Sequence, residues 1–244
     1  MQTKILKILV FASTLGLISL ITNASQREKI ISADSLFVSG NYIAALNLYE
    51  DAINSSEFPL NPSVYLKCAF IAERFGEVPK TIYYLSRYNQ SIPSITVSEK
   101  ITKLANEAGF EGYEKNDLNS ILTFIAANYY YIIFIFMLLA AGLYYILFAK
   151  FFRNQSFLKR HSLLLSFYLF GMLFIINTPF QQKNVIVNVP SAELRKEPSG
   201  ASSPIRRVNA GDRLIYLGNV DLWSRVKFDG EIFFINSNNC WVLD

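Results

Sequence analysis

Hydrophobic positions along this chain fall into three patterns: long uncharged runs, apolar residues recurring every three or four positions, and short alternating stretches. The long runs weigh most. Phe124 to Ala149 is 26 residues and Ser162 to Phe180 is 19, neither containing a charge. As helices rising about 1.5 Å per residue they reach about 39 and 28 Å, against a hydrocarbon core of about 30 Å. The pattern predicts two transmembrane helices, 124–149 and 162–180, with Tyr129, Tyr130, Tyr131, Tyr144 and Tyr145 near the ends where interfacial rings settle. A shorter run, Ile8 to Ile21, follows Lys4 and Lys7 and ends at Thr22-Asn23-Ala24, the layout of a secretory signal peptide over 1–24. An uncleaved anchor is the alternative, set against a run shorter than the about 20 residues a bilayer needs.

Helical spacing governs residues 25–118. Gly40-Asn41-Tyr42 opens a stretch with Ala45, Tyr49 and Ala52 on one face, and Gly76-Glu77-Val78 opens another with Thr81, Leu85 and Tyr88 at the same offsets, a period of 36. The helices before them carry Ala33 and Leu36, then Tyr65, Cys68, Ala69 and Ala72. This resembles the tetratricopeptide repeat, and a third segment, Ser94 to Gly109, reads as a single helix closing the open end. The resemblance implies stacked helix pairs whose concave face holds a peptide or partner helix, with Asn41, Tyr49 and Tyr84 as groove residues. A plain helical spacer is the competing reading, in which the tyrosines at helical spacing are core.

The last 61 residues, 184–244, switch to strand patterning. Val185 to Val187, Leu214 to Leu217, Trp223 to Phe228 and Ile232 to Ile235 are short β-rich runs, and Asp229-Gly230 is a two-residue hairpin signal. Leu194-Arg195-Lys196-Glu197-Pro198-Ser199, Gly211-Asp212-Arg213-Leu214 and Trp223 to Gly230 resemble the bacterial SH3-like domain, which implies a small all-β barrel. On that barrel Tyr216, Trp223 and Phe234 are the expected protein-binding residues. Phe233 stands where the resemblance calls for Gly, beside the ligand surface of cell-wall-binding members. Trp223 and Trp241 also admit a core reading.

Charge decides orientation and excludes several functions. The stretch 150–161 between the spans carries Lys150, Arg153, Lys159 and Arg160 and no acid, so it reads as a cytoplasmic loop, with both large domains on the opposite side. Residues 25–118 carry −3 and 181–244 carry +1, so the chain's net +4 comes from topology signals rather than a basic face, and no nucleic-acid partner is expected. His161, the single histidine, falls in that loop, Cys68 and Cys240 lie far apart, and neither GxxxxGK nor GxGxxG occurs. No enzyme, metal or cofactor is expected. The two cysteines read as buried free thiols, with a disulfide between them as the alternative.

Signal peptide, degenerate repeats, two spans around a short basic loop, and a terminal SH3-like barrel: in this order they resemble the BatE family of Bat aerotolerance operon proteins. The resemblance implies a multidomain, multi-pass protein of the bacterial inner membrane with both large domains periplasmic. It implies a non-enzymatic scaffold or adaptor acting with other Bat membrane proteins and, through them, a MoxR-type ATPase, in stress tolerance or envelope homeostasis. The alternative is a cell-wall sensor whose barrel binds peptidoglycan directly.

Overall fold

The structure, a computed structural model, describes residues 26–55, 60–114, 124–125, 128–152, 159–177 and 183–243. The signal-peptide reading, and the central part of the basic loop with Arg153, lie outside the described residues. The chain divides into two compact units, Met1–Ser91 and Ile92–Asp244.

The first unit is helical: α1 over 26–38, α2 Tyr42–Asn54, α3 Ser63–Arg74 and α4 Val78–Ser91. The repeat shows in how the first helix of each pair ends. Gly40 and Gly76 sit at φ 81° and 76°. Gly40 N–H donates to Phe37 and Asn41 N–H to Leu36, while Gly76 N–H donates to Glu73 and Glu77 N–H to Ala72. The left-handed residue lets these amides turn back onto the last open carbonyls, reversing the chain at the same place twice. Small side chains then admit close helix packing: Ala33, Ala45, Ala52, Cys68 and Ala72 are fully buried, with Tyr49, Ile71 and Ile82 filling the space between them. Each large side chain taken from water contributes about 1.5–3 kcal/mol.

The second unit begins with α5, Ile95–Ala108, ended by Gly109 at φ 71°. It continues through α6, Tyr129–Phe152, and α7, Lys159–Asn177. Here the expectation of two transmembrane helices is corrected. Among the described residues one helix is long and apolar enough to cross a membrane, over Tyr129–Ile146, with mean hydropathy 1.9 and no buried residue in that window. The physical reason lies in what α7 contains: Lys159, Arg160 and His161, assigned to the loop, lie within the helix and dilute its apolar content. The last residues of the expected span, 178–180, lie outside the described residues. Lys150, also assigned to the loop, lies within α6. The two helices touch, the Tyr168 hydroxyl donating to the Phe136 carbonyl at 2.7 Å.

Seven strands complete the unit: β1 Asn184–Val187, β2 Ala192–Arg195, β3 Pro204–Val208, β4 Arg213–Val220, β5 Trp223–Phe228, β6 Glu231–Asn236 and β7 Cys240–Leu243. They form one antiparallel sheet in the order β3-β2-β6-β5-β4-β1-β7. The small closed barrel of the sequence reading is therefore corrected to a curled sheet with β3 and β7 as its edges. Its inner face is one core, with Val185, Val187, Leu194, Val208, Leu214, Val226, Phe233, Ile235 and Cys240 packed together. Alternation puts every second residue of β2, β5 and β6 on the opposite face. That outer face carries the chemistry.

Candidate functional site

Cross-strand register brings the outward residues of four adjacent strands into rows. Arg207 of β3 pairs with Glu193 of β2. Phe234 of β6 lies between Arg195 of β2 and Arg225 of β5, and Asn236 pairs with Trp223. The result is a face of three guanidinium groups, two aromatic rings and a single carboxylate. A cleft of about 470 Å³ opens in it, lined by Ser191, Glu193, Arg195, Arg207, Trp223, Asn236 and Asn239.

Arg195 is committed to the fold. Its guanidinium pairs with Glu193 at 2.7 Å, donates to the carbonyls of Gly200 and Ser202, and lies over the Trp223 ring at 5.8 Å. That fixes the loop after β2 and holds Trp223 as one wall of the cleft. Glu193 is half spent on the same contact. Arg207 and Arg225 stand exposed on the same face. A half-buried ring beside exposed guanidinium groups and two amides, Asn236 and Asn239, can take a carboxylate-bearing partner: Arg forks match carboxylates, and rings anchor apolar side chains. Among the described residues no group of His, Cys, Asp or Glu comes together in a way that could hold a metal ion.

Of the barrel residues named from sequence, Trp223 lines this cleft, Phe234 shares its face one row away, and Tyr216 packs against the sheet's core. Trp223 and Tyr216 are therefore not neighbours in function, because Tyr216 precedes the irregularity between Tyr216 and Gly218 in β4.

In the helical unit Asn41 is exposed at the start of α2. Tyr49 and Tyr84 are buried, 0% and 3% exposed, so neither offers its ring to a partner. Their hydroxyls are used internally instead. Tyr49 donates to the Asp34 carboxylate, which also receives Lys67 at 2.6 Å. Tyr84 donates to Glu50 at 2.6 Å, and Lys80 meets the same carboxylate at 2.8 Å. Burial acts to raise the Asp34 pKa, but the hydrogen bonds from Lys67 and Tyr49 outweigh it and hold the carboxyl below its ordinary range. Burial, reinforced by the Glu50 charge, pushes the Cys68 thiol up to about 12. Cys68 and Cys240 are both free and buried.

A surface that sequence reasoning missed lies at the end of α1. Phe37, Tyr42 and Phe70 meet edge to face, with centroids 5.5, 5.7 and 5.9 Å apart, and Arg74 lies over Tyr42 at 5.0 Å. Phe70 is 46% exposed, and Val38 and Ile43 beside the cluster are more so. The signal was present as the aromatics Phe37 and Tyr42 flanking Gly40.

Compared with known proteins, the chain matches no family model and no curated protein.

Proposed function

We propose that this chain is a non-enzymatic scaffold or adaptor of a Bat-type complex, held at the bacterial inner membrane by α6. Its partners are other Bat membrane proteins and, through them, a MoxR-type ATPase, in a role linked to stress tolerance or envelope homeostasis. The observation that carries the binding reading is the outer face of the sheet, where Trp223 walls a cleft beside exposed Arg207. An acidic peptide of a partner fits that chemistry: charged groups at the rim steer encounter, while a half-buried tryptophan supplies an anchor of about 2 kcal/mol or more. The membrane reading rests on α6, whose large apolar side chains are exposed on every turn, from Tyr130 and Phe134 to Tyr145 and Phe148. An apolar helix with its large side chains exposed has lipid as its natural surroundings.

The two amides beside the Trp223 ring favour a second reading, a cell-wall sensor binding peptidoglycan, because a ring between amide groups suits a sugar face. Sedimentation of the detergent-purified full chain with isolated sacculi separates the two. The adaptor reading expects no saturable retention, whereas retention that Trp223→Ala abolishes would favour the wall.

A further inference from the structure

The curled sheet holds a second occupied surface, away from the Trp223 cleft, and its occupant is a piece of this chain. After α5 ends, Phe110 to Tyr113 runs against Gly211, Asp212 and Arg213, residues about a hundred positions later. The main chains bond directly: Arg213 N–H donates to the Glu111 carbonyl at 3.0 Å. Glu111 N–H donates to Asp212 Oδ1 at 2.9 Å, and the other oxygen of that buried carboxylate receives Asn209 N–H at 2.7 Å. Arg213 Nε donates to the Gly112 carbonyl at 2.9 Å, and the Tyr113 hydroxyl donates to the Gly211 carbonyl at 2.9 Å. The Glu111 side chain pairs with Arg206 at 3.0 Å, and the Arg213 guanidinium lies 4.4 Å from the centre of the Tyr113 ring.

Two glycines make the approach possible. A Cβ on Gly112 would stand 2.0 Å from the Arg213 carbonyl oxygen, and one on Gly211 would stand 2.4 Å from the Phe110 ring. An aromatic, an acid, a glycine and an aromatic in succession each meet a matching feature of the sheet, and Tyr113 is only 2% exposed. This is the density of contact expected of a bound peptide rather than of a passing linker.

We infer that Gly211 to Arg213, with Arg206, form a peptide-recognition site whose ligand is the chain's own segment Phe110 to Tyr113. The clasp does not rest on the membrane reading above.

The test uses the full chain with Glu111→Cys and Asn209→Cys, two exposed positions whose backbone amides meet on one carboxylate. A short bismaleimide should join them in detergent and in membranes, neither single variant should give the product, and adding Gly112→Val should abolish it while circular dichroism is unchanged. That substitution leaves every residue of the sheet intact. No product from the folded double variant, or a yield indifferent to Gly112→Val, overturns the clasp. Release of the chain by carbonate washing with the crosslink retained would remove the membrane reading and leave the clasp standing.

Discussion

Tyr49 and Tyr84 show how a residue's identity can be read while its role is not. Both were legible as aromatics in stretches of helical spacing, Tyr49 between Ala45 and Ala52, which is a statement about packing. What spacing could not reveal is that Asp34 and Glu50, from other helices, would meet their hydroxyls and draw both rings inward. Tyr49→Phe removes a hydrogen bond and leaves the rest of the ring packed, so it should lower unfolding free energy by about 1 kcal/mol, read as a shift of the urea midpoint without a change in slope. Asp34 predicts a pH dependence. Its folded pKa lies below the unfolded one, so its contribution is complete above the unfolded value and is lost as pH falls through the folded value. Stability of the helical unit should therefore drop from about pH 5 downward, and less so in Asp34→Asn. Cys68 has the opposite sign. With its pKa raised to about 12, stability from that thiol is intact below the ordinary thiol range and drains away as pH rises toward that value. Near neutral pH it should react with a thiol reagent only after denaturation.

Among the elements, helix ends were the most legible part of the sequence. Gly40 and Gly76 mark the reversal in each pair, and the capping bonds are the same in both. Gly76→Ala forces a Cβ into a left-handed conformation and should cost about 1–2 kcal/mol, with thermal denaturation as the measure. Strands were less legible. The hairpin of β5 and β6 was evident from Asp229-Gly230, but β3, with Arg206 and Arg207 in five residues, has too few apolar positions to announce itself, and β7 is only four residues long. The same limit explains α7. Counting uncharged residues forward from Ser162 leaves Lys159, Arg160 and His161 in the loop, whereas they lie within α7. Hydropathy gives the length of an apolar run but not the register of the helix that uses it. The outer face of the sheet was legible in part: alternation placed Trp223 and Phe234 outward, while Arg207 and Glu193 became its neighbours only through the pairing of β2 and β3.

At the scale of the whole molecule the account joins an apolar helix with lipid-suited surroundings to a sheet whose outer face is basic and aromatic. If that face holds an acidic partner, Trp223→Ala should weaken binding by about 2 kcal/mol, roughly thirtyfold, through loss of the anchor. Arg207→Glu should instead slow association and flatten its salt dependence, because the charge acts mainly at encounter. The most direct measurement places a photoreactive residue at Ser191, on the rim of the cleft, in the full chain in living cells, with Lys103 on α5 as the control position. The account predicts one discrete adduct from position 191 when the other Bat membrane proteins are present, none in their absence, and a marked loss of that adduct with Trp223→Ala. No adduct, or the same products from both positions regardless of Trp223, would contradict it.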